Sequence, residues 1–389
     1  MHLHVIAIVA GCFSAAIWIY LLFGRGRFWM ISPTPAAGGK QRNSSVAVIV
    51  PARDEASFIG QSISSLLQQN YTGSVHVFLV DDSSRDGTSN IARESAQAIG
   101  RSAGLTIISG QPLPPGWSGK LWALHQGVEA ARPLDPEFFL LTDADVVHSP
   151  DTISTLASVA ETGGYDLASF MVRLHCRRDA EKLLIPAFVF FFFMLYPPAW
   201  IANPRRKTAG AAGGCILIRP QALAKAGGVE SIRDEIIDDC ALARAVKLGG
   251  GRVWLGTTAS SVSVRPYRSA FDIGRMISRT AFNQLHHSSL LLLMTIIGLT
   301  LTYLVPLSLL LSEHAGLVAF GALLWFAMSV SFLRTVVLYR LNPLWALTLP
   351  VTAVFYLGAT VHSAVRYWLG RGGEWKGRVQ DPARSRVAG

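Results

Sequence analysis

The stretch VAVIVPARDEASFIGQSISSLLQQNYTGSVHVFLVDDSSRDG, from Val46 to Gly87, decides the fold. It opens on a β-branched run, VAVIV (46–50), continues into a helix-like stretch ending near Gln69, and returns to a second apolar run, VHVFLV (75–80). Two further runs, LTIIS (105–109) and FFLLT (138–142), recur at similar intervals, each behind a helical pattern. Short apolar runs alternating with helices predict an α/β domain on a mainly parallel sheet covered on both faces. Ligands of such sheets bind outside the carboxyl ends of the strands, so the polar residues that follow each run are the candidate site.

Those residues are rich in carboxylates. Pro51-Ala52-Arg53-Asp54-Glu55 follows the first run, Asp81-Asp82-Ser83-Ser84-Arg85-Asp86-Gly87 the second, and Asp143-Ala144-Asp145 the fourth. One acidic residue after a strand often only caps a helix or closes a turn. Their recurrence at successive strand ends is the stronger signal. Asp143 and Asp145, one residue apart, can both turn toward a divalent cation, Mg2+ or Mn2+, that also binds a diphosphate. Asp82 can accept hydrogen bonds from a ribose or a base. Neither a G-x-x-x-x-G-K-[ST] nor a G-x-G-x-x-G follows the first run, which argues against a P-loop or dinucleotide enzyme.

Three more segments add to the pattern. Pro114-Pro115-Gly116-Trp117-Ser118-Gly119-Lys120 leads into a helix-like Leu121–Ala131, where backbone N–H groups and the Lys120 charge suit a phosphate. Gly210-Ala211-Ala212-Gly213-Gly214-Cys215 precedes a strand-like ILIR, its small residues permitting close approach to the backbone. Asp234 through Arg244 sets Asp238 and Asp239 at the start of an amphipathic helix. Taken alone, that pair reads as an acidic first turn favoured by the helix dipole.

Outside this central region, residues 44–265, the chain changes character. His2–Phe23 is nearly all apolar and is followed by Arg25 and Arg27, which predicts an uncleaved N-terminal transmembrane anchor over 1–24 with the following domain in the cytoplasm. Apolar stretches near 288–311, 316–338 and 343–368 predict a C-terminal transmembrane region over 288–370, with the topology of the last, Pro350-containing stretch open, and a basic tail over 371–389. Leu183–Ala202 is long enough to cross, but Pro186, Pro197 and Pro198 interrupt it, and a single crossing would separate the acidic motifs. It is therefore expected to be interfacial or re-entrant (182–207), with a buried pair of core helices as the alternative. A basic amphipathic segment, 266–287, is expected on the membrane surface.

Half the residues are hydrophobic and 15% are charged, with 35 Lys and Arg against 25 Asp and Glu. The surplus of +10 gathers beside the apolar segments, at Arg205, Arg206, Lys207, Arg366, Arg371, Lys376 and Arg378 as well as Arg25 and Arg27. That placement suits anionic lipid on the cytoplasmic side of a cell inner membrane, and no nucleic-acid partner is expected. Cys12, Cys176, Cys215 and Cys240 lack metal-ligand spacing and read as reduced thiols.

As an ordered set, Pro51-Ala52-Arg53-Asp54-Glu55, Asp81-Asp82, Gly119-Lys120, Asp143-Ala144-Asp145 and Asp238-Asp239 with Leu242 and Arg244 resembles family 2 of the glycosyltransferases, which have the GT-A fold. The stretch from Lys182 through Pro197-Pro198 to Cys215, with Trp375-Lys376-Gly377-Arg378, looks like the hopene-associated members of bacterial hopanoid biosynthesis. The resemblance implies inverting transfer of one sugar from a nucleotide-diphosphate sugar, a UDP-sugar, to a lipid acceptor such as a hopanoid. It implies donor contacts by Pro51, Ala52, Arg53, Glu55, Asp82, Lys120, Asp143, Gly213 and Gly214, and a metal on Asp143 and Asp145. Asp239 would be the general base, with Asp238 beside it. Processive synthases of the family carry a Gln or Arg, two residues, then Arg-Trp; here Arg275-Met276-Ile277-Ser278-Arg279-Thr280 has no Trp, so a processive polysaccharide synthase is the lesser alternative, with a non-catalytic membrane scaffold behind it.

Overall fold

The computed structural model describes residues 2–34, 43–370, 374–375 and 378–379 of the chain. It divides into two compact units, one built from Pro33–His175 and Trp200–Arg265, the other from the segment up to Ser32, Cys176–Ala199 and the segment from Pro266. Residues 176–199 belong to the helical unit, and Arg205-Arg206-Lys207 to the α/β unit. Most of the expected basic tail, including Lys376 and Gly377, lies outside the described residues.

The first unit is an α/β sheet of eight strands: β1 Val46–Ala52, β2 Val75–Asp81, β3 Leu105–Ser109, β4 Phe138–Leu141, β5 Val146–Val147, β6 Leu167–Arg173, β7 Ile216–Ile218 and β8 Val253–Ser263. Their order is β3-β2-β1-β4-β7-β6-β8-β5. The β3-β2-β1-β4 half is parallel, as the helix-strand alternation requires. Beyond it β7 runs antiparallel to both β4 and β6, β8 is parallel to β6, and β5 is antiparallel to β8. The sheet is GT-A-like, parallel in most of its pairings, with an antiparallel strand at its centre.

β1 is buried along its whole length, as a strand covered on both faces must be. The helices Ile59–Leu67 and Thr88–Ala98 put Ile59, Ile63, Leu66, Ala92 and Ala96 into the same core as Val46, Val48 and Val50. On the helix Gly119–Ala131, Gly127 lies so close to the sheet that a Cβ would sit 2.4 Å from a methyl of Ile49. The same helix is capped at its start, where Ser118 accepts from the Leu121 N–H at 3.3 Å. β8 is buried through hydroxyls as much as through apolar groups. Ser261 Oγ meets Thr152 Oγ1 at 2.7 Å and takes the Ser149 N–H at 3.2 Å.

The second unit is helical. Among the described residues five helices are long and apolar enough to cross a membrane: His4–Gly24, Asp179–Ala202, Ser289–Leu309, Ala315–Leu338 and Pro343–Trp368. Two buried polar groups show how this unit satisfies its interior. Trp18, 1% exposed, donates its ring N–H to the Thr302 carbonyl at 2.9 Å, in a π-helical turn at Thr300–Leu304. Glu181, fully buried at the start of Asp179–Leu195, accepts the N–H groups of Arg177 (2.8 Å), Arg178 (2.9 Å) and Tyr267 (2.8 Å). Further along that helix Phe190 packs against Phe28 and Phe332, and Phe191 against Tyr303 and Tyr356. The segment expected on the membrane surface forms the helix Ala270–Gln284, capped by Ser269. It buries Ile273, Ile277, Ser278 and Phe282, with Ser278 Oγ donating to the Ala359 carbonyl at 3.1 Å.

Candidate active site

Parallel pairing aligns the strand ends. Ala52 stands beside Asp81 in the β1–β2 register, and the Asp82 N–H donates to the Ala52 carbonyl at 2.8 Å. Of the residues after β2, Asp81 and Asp86 serve the turn. Asp81 takes the Ser84 N–H at 2.8 Å and the Ser89 hydroxyl, and Asp86 takes the Ala56 N–H at 2.9 Å and the Thr88 N–H at 3.1 Å. Asp54, in the left-handed region at φ 51°, binds the Arg85 N–H at 2.9 Å and is likewise a turn residue. Asp82 is different. It is 3% exposed, and Arg53 Nη1 reaches both its carbonyl (2.8 Å) and its carboxylate (3.3 Å). Arg53 Nε is buried with no hydrogen-bond partner, a donor left for something the protein does not supply.

Lys120 forms the centre of the site. Its ammonium lies 3.0 Å from Asp143, just past β4, and 3.0 Å from Asp238, at the start of the helix Asp238–Leu248. Burial alone would lower the Lys120 pKa, but Asp143 and Asp238 override it and hold the group charged, above its ordinary value. Asp143 is pushed upward by its own desolvation and by Asp145, with Lys120 opposing. One cation thus ties the acidic pair after β4 to the acidic pair that, in sequence, had a purely helical explanation.

Asp239, next along the same helix, takes the Gly213 N–H on Oδ2 at 2.9 Å and the Cys240 N–H on Oδ1 at 2.7 Å. Its pKa is raised from 3.8 to about 6, first by desolvation and then by the charge of Asp238, against the pull of Lys120 and the two N–H groups. A carboxylate titrating there is suited to accept a proton near neutral pH. Gly213 lies close beneath the site, where an added Cβ would stand 3.3 Å from Lys120 Nζ and 3.5 Å from Asp239 Oδ2 and so press on the lysine. Gly214 is needed for packing, because its Cβ would meet a Val172 methyl at 2.8 Å. Thr142 Oγ1 donates to the Gly214 carbonyl at 2.8 Å, and His148 Nε2 lies 2.8 Å from that hydroxyl. Burial lowers the His148 pKa to about 4, so the ring is neutral and serves to brace the loop.

Pro51, Lys120, Asp143, Gly213, Asp238 and Asp239 line one cleft. Arg53 and Asp82 form a second group at the β1 and β2 ends. Glu55 and Asp145 form a third, held together by a residue the sequence reading did not single out. Arg265, two residues past β8, donates from Nε to Asp145 at 2.8 Å and from Nη2 to Glu55. Ser263 Oγ adds a contact to Asp145 at 3.1 Å. The strand-end rule that found the other residues applies to Arg265 too, but after its first three residues β8 reads GTTASSVS, which does not look like a strand.

The residues fit a divalent cation of the magnesium or manganese kind. Asp143 and Asp145 are hard oxygen ligands, and Asp143 Oδ2 and Asp145 Oδ1 carry no contact to any described residue. Among the described residues no group of three or more His, Cys, Asp or Glu surrounds a common point, so most ligands would come from diphosphate and water. Cys215 and Cys240 are buried.

Residues 47–227 match the profile of glycosyl transferase family 2. It is 30% identical over 129 residues, 33% of its length, to an N-acetylglucosaminyltransferase of Rhizobium leguminosarum bv. viciae. It is 29% identical over 123 residues to an uncharacterized protein of Methanocaldococcus jannaschii. The match spans only 28% and 44% of those two relatives. In three dimensions it is similar to a mannosyltransferase from Pyrobaculum calidifontis solved with GDP-Man and Mn2+, with a TM-score of 0.56 and 19% identity, covering 92% of this chain and 98% of that one. That likeness is one of fold.

Proposed function

We propose that this chain is a membrane-bound inverting glycosyltransferase that moves one sugar from a nucleotide-diphosphate sugar to a lipid acceptor. The observation that carries the reading is the Lys120 bridge, which sets Asp238 and Asp239 beside the Asp143-Ala144-Asp145 turn. Helix capping alone gives Asp239 no reason to have a pKa near 6. In this reading Asp82, oriented by Arg53, receives the nucleoside, and the orphaned Arg53 Nε finds its acceptor there. Asp143 and Asp145 would hold a divalent cation, Mg2+ or Mn2+, which when bound supplies positive charge to the leaving diphosphate. Asp239 takes the proton of the acceptor hydroxyl as that oxygen bonds to the anomeric carbon; the bond from that carbon to the diphosphate oxygen breaks, and the electron pair leaves with the diphosphate. A single displacement of this kind inverts the anomeric centre.

The lipid acceptor is argued from the five apolar helices, and the hopanoid class from the residues between Lys182 and Cys215. Arg25 and Arg27 beside the first helix favour a cytoplasmic α/β domain at a cell inner membrane. A UDP-sugar is the expected donor, with a GDP-sugar the direct competitor. Single transfer is preferred because no Trp follows Arg279.

The test is to incubate membranes containing the chain with labelled UDP- and GDP-sugars and Mn2+ or Mg2+, extract lipids and identify the product by mass spectrometry. One lipid carrying one added sugar is expected, absent with Asp239→Asn. No labelled lipid with any donor would refute the reading, and long polymer would replace it with the processive one.

A further inference from the structure

Arg265 is placed as no ordinary surface arginine is. It serves two buried carboxylates from different parts of the chain, Glu55 after β1 and Asp145 after β4, whose side chains are 8% and 14% exposed. Either would be costly to leave charged and unpaired. The guanidinium lies over the Phe58 ring at 4.9 Å, and it remains 35% exposed. Its Nη1 has no bond to any described residue. The pair Glu55–Arg265 is therefore a pivot with one arm on Asp145 and one free face.

We infer that Arg265 is an exchangeable counter-ion. It neutralises Asp145 while the site is empty and passes to the donor's diphosphate when a divalent cation takes its place. The inference rests on the reading of Asp145 as a metal ligand. A cation arriving alone at Asp145 Oδ1 sets a second positive charge beside the guanidinium on Oδ2 and weakens its hold on that carboxylate. Arriving with a diphosphate, the cation brings the guanidinium a new acceptor, whose phosphate oxygens its planar fork can bind in pairs. Metal and nucleotide therefore each raise the other's affinity through Arg265, and by linkage the factor is the same in both directions. Glu55 keeps the arginine tethered during the exchange.

The experiment is calorimetry of Mn2+ binding to the purified full chain in detergent, alone and with saturating UDP or GDP, on the parent protein and on Arg265→Met and Arg265→Lys. In the parent, the nucleotide tightens Mn2+ binding at least about tenfold. Arg265→Met binds Mn2+ alone at least about tenfold more tightly than the parent and loses at least about tenfold of the coupling. Arg265→Lys, which keeps the charge but loses the fork, falls between the two. Should Arg265→Met fail to fold, Arg265→Lys decides the matter by the same comparison. Parental affinity for Mn2+ alone and parental coupling in every folded variant would overturn the inference while leaving the proposed function standing. A parent that binds neither UDP nor GDP with Mn2+ would overturn both.

Discussion

Replacing Asp239 by Asn separates the chemistry of the site from its stability. The wild-type carboxyl titrates at about 6 in the fold against 3.8 in an ordinary setting, so its ionisation works against folding. That cost is absent below pH 3.8 and complete above about pH 6, which means wild-type stability falls as pH rises through this window. Two units correspond to about 3 kcal/mol at most. Asn keeps one acceptor oxygen for the Gly213 or Cys240 N–H but not both, which returns about 1 kcal/mol. The variant should therefore be more stable than the parent by about 1–2 kcal/mol at pH 8 and no more stable at pH 4. In thermal unfolding followed by intrinsic fluorescence, the Tm gap should widen by at least about 4 °C between those pH values. Turnover should fall at least about a hundredfold with donor binding nearly intact. A Tm gap indifferent to pH, or a variant that still turns over, would refute the reasoning.

Other expectations follow from the same geometry. Wild-type kcat should rise with pH along a limb centred near 6, without an alkaline limb from Lys120, whose carboxylate partners hold it charged; a flat profile from pH 5 to 8 would remove Asp239 as the base. Gly213→Ala should keep the fold and lower kcat at least about tenfold by crowding Lys120 and Asp239, whereas Gly214→Ala should lose about 1–3 kcal/mol of stability through its clash with Val172, as paired activity and unfolding measurements would show. Chelation of divalent cations should abolish turnover and Mn2+ should restore it, since Asp143 and Asp145 are the only carboxylates assigned to the diphosphate; turnover insensitive to chelator would argue against that assignment.

The parallel half of the sheet was legible because β1 to β4 are short apolar runs in a regular alternation, and the strand-end rule then led directly to Asp82, Asp143 and Asp145. The other half was harder to read. β6 and β8 were not anticipated. β8 buries Thr257, Thr258, Ser261 and Ser263, with Ser261 bonded to Thr152, Thr258 to Ser260 and Ser263 to Asp145, so its composition is that of a loop. Arg265 was missed with it. The Asp238–Asp239 pair was visible, but its link to Asp143 through Lys120 depends on a contact more than a hundred residues apart in the chain, which periodicity cannot report.

The account depends on nucleotide diphosphate and metal meeting at the carboxyl ends of β1, β2 and β4. A cryo-EM structure of the chain with Mn2+ and an unreactive nucleotide-sugar analogue tests this most directly. The expected map has the nucleoside against Asp82, the metal on Asp143 and Asp145, and the sugar facing Asp239. Nucleotide bound elsewhere, with Lys120 and Arg265 still holding the same carboxylates, would contradict it.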